Sequence, residues 1–360
     1  MPEQRNGVMN GIQPVPGWSV GRTAEGAFDD CCLVVATYRR PLEVMRLLEI
    51  LATFPEGPAE VVVVDGASTN QFSESLRAWA HSRRLPFDLI YARSRSGLTY
   101  QRNVGIDLSS REYVFYLDDD AEPLSGYFAI TRRLFDQDQD HKIGAVAGVV
   151  MNEIDKPVVR RWQLRFVLFL VPRIEPMIYH TSGTHVPRSM MKPFSGVRRV
   201  DLFPGCAFTL RREVVERERF SEFFDGYSQG EDLEMSLRVR RNWNLVCCGD
   251  AQINHYPAPG GRPAGYVRGQ MEIRNRIFIW RRYTPDPTAL DRIRFWAENA
   301  FLLTMDLAWF AVRPWHSYSI AHAGGLITGM FKNFVSPPHY QEPPARRAHA
   351  LEMSKQEVIA

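Results

Sequence analysis

Short runs of β-branched and aromatic residues alternate with helical patterns through the first third of the chain. Residues 32–36, 61–64 and 113–117 are continuous apolar runs of strand length, and Pro41 opens a helical pattern after the first of them. A second helical pattern covers residues 98–108, before the last run. Continuous apolar strands separated by helices are typical of a mostly parallel sheet that is covered on both faces. We therefore predict an α/β fold with a Rossmann-like sheet and flanking helices.

A polar residue stands at the end of each of these strands: Thr37, Asp65 and Asp118. In parallel sheets the carboxyl ends of the strands meet at one edge, and ligands bind there. Residues 118–120 are three consecutive aspartates, which would repel one another when buried unless a cation lies among them. Mg²⁺ or Mn²⁺ would suit such oxygen ligands and commonly bridges to substrate phosphates. The alternative is a solvated acidic turn.

Composition excludes several classes of function. The chain has 360 residues, room for one large domain or two modest ones, and a net charge of +3, which is too small to indicate a nucleic-acid partner. Its five cysteines are an odd number without zinc-site spacing, so we expect reduced thiols in a cytoplasmic protein. Residues 1–26 lack the apolar core of a signal peptide or membrane anchor, which also favours the cytoplasm.

The remaining two thirds of the chain are less regular. Further strands are indicated near residues 145–150, 206–210 and 245–248, and residues 157–200 form a long irregular stretch. We expect four units: a flexible segment at 1–28, a main domain at 29–283, a helical extension at 284–335 and a disordered tail at 336–360. The main domain would consist of a nucleotide-binding half (29–122) and an acceptor and catalytic half (123–283).

Six short motifs follow one another along the chain. They are Val-Val-Ala-Thr-Tyr-Arg-Arg (34–40), Val-Asp-Gly-Ala-Ser (64–68), Gln-Arg-Asn-Val-Gly (101–105), Asp-Asp-Asp (118–120), Gly-Cys-Ala-Phe (205–208) with two arginines at 211–212, and Gly-Glu-Asp-Leu-Glu (230–234). Each motif is weak alone, but in this order the set resembles the family 2 glycosyltransferases, inverting enzymes of the GT-A fold. The resemblance covers roughly residues 30–283.

This resemblance implies a nucleotide-diphosphate sugar as donor, with UDP-sugars favoured, and Mg²⁺ or Mn²⁺ as cofactor. The DXD aspartates Asp118 and Asp120, with His255 as an additional ligand, would hold the metal, which acts as a Lewis acid on the departing diphosphate. The donor would be bound by residues of the first four motifs: Thr37, Tyr38, Arg39, Asp65, Arg102, Asn103, Asp118 and Asp119. For His255 and Asp65 the alternatives are a structural histidine and an ordinary acidic turn.

The resemblance places the catalytic base at Asp232, with Glu231 in support. Direct displacement at an anomeric carbon needs a base on the acceptor side to take the hydroxyl proton. The alternative is that both acids simply favour the N-terminal dipole of a helix. Arg274 and Arg276, on a later helix, are candidates for contacts with the diphosphate, although a solvated basic face would have the same pattern.

These motifs predict a transferase that moves one sugar to an acceptor hydroxyl. The Gln-x-x-Arg-Trp motif of processive synthases is missing, because Gln270 is followed by Met-Glu-Ile-Arg-Asn. The resemblance suggests a glycan or lipid-linked acceptor in bacterial cell-envelope or exopolysaccharide synthesis. Two alternatives are a nucleotidyltransferase, although the sequence lacks a basic glycine-rich phosphate loop near the first strand, and a non-catalytic nucleotide-sugar-binding module.

Two apolar segments, at residues 160–173 and 299–312, suggest contact with a membrane. The second would span only about 21 Å as a helix, short of the ~30 Å hydrocarbon core, so we do not expect it to cross a bilayer. Both segments could instead lie in the bilayer surface. We therefore expect a cytoplasmic protein with peripheral contact at the inner face of the cytoplasmic membrane; buried packing or a dimer contact is the alternative.

Overall fold

The computed structural model describes residues 15–67, 70–153 and 158–339. Within these ranges the strands are β1 (Val15–Val20), β2 (Ala27–Thr37), β3 (Gly57–Asp65), β4 (Asp88–Arg93), β5 (Tyr113–Leu117), β6 (Ala121–Pro123), β7 (Ile143–Val150), β8 (Tyr179–His180), β9 (Thr184–His185), β10 (Val197–Val200), β11 (Ala207–Arg211) and β12 (Asn244–His255). The central sheet has the order β1-β4-β3-β2-β5-β11-β7-β12-β10, with β6 beside β12, while β8 and β9 form a separate pair.

The sheet is mostly parallel. β2, β3, β4 and β5 are parallel neighbours, and β7 runs parallel to β12. Between these two blocks, β11 pairs antiparallel with both β5 and β7. Side chains alternate across the sheet, so that Leu33 and Val35 enter the core on one face while Cys32 and Val34 enter the core on the other. Burial on both faces explains the unbroken apolar runs, and the predicted α/β class is confirmed.

Helices cover both faces of this sheet. Within the described ranges they are α1 (Pro41–Leu51), α2 (Asn70–His81), α3 (Leu98–Leu108), α4 (Tyr127–Gln137), α5 (Val158–Val167), α6 (Arg212–Arg217), α7 (Glu231–Val239), α8 (Gly265–Tyr283), α9 (Ala289–Val312) and α10 (Ser317–Val335). Apolar residues of α1, α2 and α4 belong to the core on one face, and those of α3, α6 and α7 to the core on the other. The sheet edge that carries the polar strand ends is therefore held between two helical layers.

Helix α3 lies very close to β2. A Cβ atom at position 105 would collide with Val34, so the helix backbone can reach the strand only because this residue is Gly105. Close docking fixes the N-terminal half of α3 beside the carboxyl ends of β2 and β3. There the Gln101 side-chain nitrogen donates to the carbonyl oxygens of Thr37 (2.7 Å) and Val64 (2.8 Å). Arg102, the next residue of the same motif, is also buried on this helix.

Helices α9 and α10 fall within the residues predicted to form a helical extension, and α8, at the end of the predicted main domain, packs against α10. Glycines at 269, 325 and 329 let α8 and α10 approach closely, because a Cβ at any of them would collide with the facing helix. A capping box between Thr288 and Asp291 begins α9. Within the described ranges, no helix combines the length and the apolar character that crossing a bilayer requires.

Two parts of the fold differ from expectation. Residues 15–20, placed in a flexible segment at 1–28, form β1 antiparallel to β4; Pro16 and Gly17 obscured this strand, yet both are tolerated at a sheet edge. The stretch 157–200 contains α5 and β10, and three arginines had interrupted the apolar pattern of α5. Residues 1–14 and 340–360, which include most of the predicted tail, lie outside the described residues, and the domain boundaries stay predictions.

Candidate active site

A cleft of about 940 Å³ opens at the carboxyl ends of β2 and β5. The N-terminus of α7 and the loop after β12 form its other walls. Most of the predicted site residues line this cleft: Thr37, Tyr38, Arg39, Arg102, Asp118, Asp119, Asp120, Glu231, Asp232 and His255. The fold thus brings together residues that are up to about two hundred positions apart in sequence, at the sheet edge where α/β proteins bind ligands.

The middle aspartate of the triplet is committed to the protein. Asp119 accepts hydrogen bonds from the Thr37 hydroxyl (2.7 Å) and the Arg40 guanidinium (2.9 Å). Burial raises the pKa of Asp119 to about 7, although Arg40 and Thr37 oppose that shift. These contacts connect the end of β2 to the end of β5, so Asp119 organises the cleft floor rather than facing an ion.

The two outer aspartates and a histidine form a group that fits a metal ion. One ligand atom each from Asp118, Asp120 and His255 lies within 4.8 Å of the others. Asp120 Oδ1 contacts His255 Nε2 (3.0 Å), and its Oδ2 accepts from the backbone N–H of Ala258 (2.8 Å). Two carboxylates and an imidazole suit Mn²⁺, and Mg²⁺ with additional oxygen ligands. The chemistry of these donors therefore agrees with the predicted cofactor.

The carboxylates around His255 favour the protonated form of its imidazole. Burial alone would lower the pKa of His255, but hydrogen bonds to Asp120 and Glu153 outweigh burial and raise it to about 9. The second ring nitrogen, Nδ1, lies 3.5 Å from the Glu153 carboxylate. A metal ligand must present a neutral imidazole, so an ion and this proton compete for the same nitrogen.

Arg40 is a cleft residue whose role the sequence did not reveal. Its Nη1 donates to Asp119 (2.9 Å) and to Asp120 (3.1 Å), and its Nη2 donates to the carbonyl of Gly260 (2.7 Å). It therefore balances two of the three carboxylates and anchors the loop after β12. The available signal was its position at the end of the first motif, next to Arg39, which also lines the cleft.

Arg102 links the acidic triplet to the α7 motif. It donates to Glu231 Oε1 (2.9 Å) and to the Gly205 carbonyl (2.7 Å), and its Nη2 lies 3.3 Å from Asp118. Burial raises the pKa of Glu231 to about 8, and the charge of Asp232 adds to the shift while Arg102 opposes it. Burial and the charge of Asp232 thus favour the protonated form of Glu231, while its ion pair with Arg102 favours the charged form.

Asp232 is fixed by backbone hydrogen bonds. Its Oδ2 accepts from the N–H of Gly205 (2.9 Å) and its Oδ1 from the N–H of Leu233 (2.8 Å). A Cβ at Gly205 would lie 3.2 Å from Oδ2, so the absence of a side chain there keeps the carboxylate accessible. Gly230 precedes the helix with a φ of 90°, a conformation that favours glycine, and sets the direction of the first turn of α7.

A second cavity of about 640 Å³ lies on the other side of Asp232. Asp118, Gly205, Asp232 and His255 line both this cavity and the cleft, so the α7 motif forms a shared wall. The rest of the second cavity is formed by the β8–β9 pair, α5, α8 and α9. The site therefore has two compartments with a shared wall, on which both Asp118 and Asp232 lie.

Two predicted donor-binding residues do not line the cleft. Asp65 is buried and accepts from the Tyr91 hydroxyl (2.8 Å) and the Ala67 N–H (2.8 Å). The Asn103 amide makes both of its hydrogen bonds with the backbone of Phe220, at 2.8 and 3.0 Å. Both residues hold neighbouring segments in place, and their part in donor binding stays a prediction.

The predicted diphosphate contacts also lie elsewhere. Arg274 donates to Asp225 (2.8 Å) and to the carbonyl of Phe223 (3.0 Å), so it secures the loop before α7. Arg276 lines the second cavity rather than the cleft. Neither arginine lines the cleft, and their contact with a diphosphate stays a prediction.

The sheet and the acidic cleft at its carboxyl edge are those expected of a glycosyltransferase of the GT-A fold. The family profile described as Glycosyl transferase family 2 matches residues 32–217, more than half of the chain. This chain belongs to glycosyl transferase family 2, and the enzyme class that the sequence predicts is confirmed.

Solved structures support the same fold. A mannosyltransferase from Pyrobaculum calidifontis, solved with GDP-Man and Mn²⁺, is 18% identical with a TM-score of 0.51, and the match covers 87% of this chain and 89% of that one. GalNAc-T7, solved with UDP, GalNAc and Mn²⁺, is 16% identical with a TM-score of 0.51 over 69% of this chain and 47% of that one. No curated protein sequence matches this chain. These structural likenesses show the GT-A fold.

Proposed function

We propose that this enzyme is an inverting, metal-dependent glycosyltransferase that moves a single sugar from a nucleotide-diphosphate sugar to an acceptor hydroxyl. The observation that carries the proposal is the position of Asp232, on the wall shared by the cleft and the second cavity. Inversion requires the acceptor oxygen to attack opposite the leaving group, with a base on the acceptor side. A carboxylate between two compartments satisfies that requirement.

On the donor side, the cleft holds the nucleotide diphosphate beside the aspartate triplet. Asp118, Asp120 and His255 are the residues that would hold Mg²⁺ or Mn²⁺, and a bound ion would neutralise charge on the departing diphosphate. Arg102, held at the edge of this group, adds a fixed positive charge. A UDP-sugar is the favoured donor.

On the acceptor side, Asp232 takes the hydroxyl proton as the acceptor oxygen forms its bond to the anomeric carbon. The bond from that carbon to the diphosphate breaks, and the nucleoside diphosphate leaves with the electron pair. Hydrogen bonds from Gly205 and Leu233 hold the carboxylate in one orientation, which lowers the entropic cost of the proton transfer. The protonated form of Glu231, which burial favours, avoids a second anion at this point.

A donor and acceptor screen tests this proposal. Thermal stabilisation by nucleoside diphosphates with and without Mn²⁺ identifies the nucleotide, since a ligand at about 100 times its Kd adds about 2.7 kcal/mol. Turnover of the matching sugar donors should then release nucleoside diphosphate and give a product of inverted anomeric configuration by NMR. Release of pyrophosphate would indicate a nucleotidyltransferase, and binding without any turnover would indicate a non-catalytic module.

We also propose that the enzyme works at the inner face of the cytoplasmic membrane, with a glycan or lipid-linked acceptor of cell-envelope or exopolysaccharide synthesis. Exposed apolar residues on the outer faces of α9 and α10 support this proposal. On α9, Ile293, Trp296 and Leu307 recur at helical spacing and are exposed; on α10, Ile327 and Phe331 do the same. An exposed apolar surface of this kind is typical of a binding face.

The charges on these helices favour an anionic lipid surface as the partner. Each acid of α9 has an internal partner: Asp291 bonds to Thr288, Glu298 pairs with Arg165, and Asp306 bonds to His322. The exposed cations Arg292, Arg313 and Lys332 have no ion pair among the described residues. The outer face therefore carries apolar and basic groups, which is the pattern of an interfacial helix.

Binding to liposomes tests the membrane proposal. Phe169, in the segment 160–173, and Phe331 are 77% and 70% exposed, so replacing both by glutamate removes apolar area without disturbing the core. We expect sedimentation with anionic liposomes at low salt and its loss in Phe169→Glu/Phe331→Glu. Leu42→Glu, at an 80% exposed site on α1, is the matched control and should still bind. No sedimentation of the parent enzyme would contradict the proposal.

A further inference from the structure

We propose that the second cavity recognises an acceptor that carries a phosphate or carboxylate group, and that Arg276 binds this anionic group. The inference deepens the proposed function and rests on it, since the cavity is assigned to the acceptor through Asp232. Nothing in the family motifs of the sequence assigns this arginine to the acceptor.

Arg276 is an arginine with unused hydrogen-bond donors. Its Nε and one Nη are buried without a hydrogen-bond partner. The other two arginines of the cavity are paired, Arg165 with Glu298 (2.8 Å) and Arg188 with Glu153 (2.7 Å). Leaving charged donors buried and unbonded is costly, and a planar pair of N–H groups matches the two oxygens of a carboxylate or phosphate. An anionic ligand would satisfy these donors.

The acid on the same helix, Glu272, does not form an ion pair with Arg276. Glu272, one turn earlier on α8, influences Arg276 through its charge, but its carboxylate lies 3.4 Å from His322 Nε2 and makes no ion pair with the arginine. His322 in turn bonds to Asp306 (2.6 Å). Glu272 therefore lines the same cavity as Arg276 but has its ion pair with His322.

Arg276 and the proposed base are on the same cavity. His185 lies near both, because the charges of Asp232 and Arg276 act on it in opposite directions, and burial lowers its pKa to about 4. His185 is therefore neutral at physiological pH and leaves the positive charge of the cavity wall to the arginine. Gln229 Oε1, also on the wall, is buried without a partner and can accept a hydrogen bond from a sugar hydroxyl.

The anionic group could belong to a soluble sugar or to a lipid headgroup. The cavity reaches Trp162 of α5 and Leu302 of α9, two helices that carry exposed apolar side chains. A lipid-linked acceptor could therefore leave the cavity toward a membrane, whereas a soluble acceptor would need only the polar wall. The two sources share the chemistry that Arg276 recognises.

Calorimetric titration of four probes tests the inference, with the cleft saturated by UDP and Mn²⁺. The probes are glucose, glucose 6-phosphate, glucuronate and monomeric dihexanoyl phosphatidylglycerol. We expect at least one anionic probe to bind more tightly than glucose and to lose about 10- to 100-fold in affinity in Arg276→Gln. Arg276→Lys should lose less, and Arg281→Gln, on the exposed face of the same helix, should bind as the parent does. If an anionic sugar binds more tightly than the lipid, the acceptor is a soluble sugar; if the lipid binds more tightly, the acceptor is linked to a lipid headgroup.

Thermal unfolding separates binding from a structural role. Because Nε and one Nη of Arg276 have no hydrogen-bond partner, Arg276→Gln should not lower the melting temperature. Equal binding of the anionic probes by the parent and Arg276→Gln, or no preference over glucose, would overturn the inference while UDP binding remains. Failure of every nucleoside diphosphate to bind the parent enzyme with Mn²⁺ would instead overturn the proposed function.

Discussion

Metal binding should depend steeply on pH, because an ion must displace a proton from His255. The histidine contacts Asp120 at 3.0 Å and Glu153 at 3.5 Å, and its pKa is about 9. Lowering the pH below that value therefore fills the nitrogen that the metal needs. The same proton forms the hydrogen bond between His255 and Asp120, so its loss also frees an oxygen of Asp120 for the metal.

The size of the effect follows from the pKa. At pH 7, two units below a pKa of about 9, only about 1% of the imidazole is neutral, so the apparent metal affinity should be about 100-fold below its limiting value. Affinity should rise about tenfold per pH unit until the histidine is neutral. Between about pH 6.5 and 8.0 this amounts to roughly a 30-fold gain.

Mn²⁺ titration by calorimetry at several pH values measures this gain directly. His255→Asn should bind Mn²⁺ more weakly at high pH and respond far less to pH, since the competing proton is gone. His141→Asn is the matched control: the residue is exposed, and its φ of 51° suits asparagine. A flat pH response of the parent enzyme, or the same steep response in His255→Asn, would refute the reasoning.

Three further predictions concern the cleft and its support. Asp120→Asn should abolish Mn²⁺-dependent nucleotide binding, measured by thermal shift, and Asp118→Asn should show a milder loss; unchanged manganese dependence would contradict the metal site. The folded pKa of Glu231, about 8, lies above its unfolded value near 4.5, so the folded protein binds more protons and stability should fall as pH rises through this window. Glu231→Gln should remove that slope in chemical denaturation without metal. Gly105→Ala should cost about 1–3 kcal/mol because the new Cβ meets Val34, whereas Gly21→Ala, with open space around it, should cost little.

The sequence predicted which strand ends form the site, because the carboxyl ends of parallel strands lie at one edge of the sheet. β5 and α3 occupy the residues expected of them, and Thr37, Asp118 and His255 lie in one cleft since the carboxyl ends of parallel strands share an edge. Strand periodicity depends on local sequence, and so does the placement of strand ends. The strands and the residues at their ends could therefore be predicted from the sequence alone.

The orientation of helical side chains could not be predicted in this way. Successive helical residues point about 100° apart, so Arg102 can face the cleft while Asn103 faces the Phe220 segment. Arg274 and Arg276 are two positions apart and point to nearly opposite sides, toward the loop at Asp225 and toward the second cavity respectively. The angle of each helix depends on close packing, as at Gly105, which no local pattern reveals.

The most direct test of the central claim is the turnover of Asp232→Asn with the native donor and Mn²⁺. The amide keeps the shape of the side chain but accepts only one of the two backbone hydrogen bonds, so we expect a loss of about 1 kcal/mol in stability. UDP and Mn²⁺ affinities should be unchanged while kcat falls by roughly 10²- to 10⁴-fold. Asp286→Asn, at an exposed loop position, is the control and should keep full activity. Near-normal turnover in Asp232→Asn, or loss of donor binding together with turnover, would contradict the assignment of Asp232 as the base.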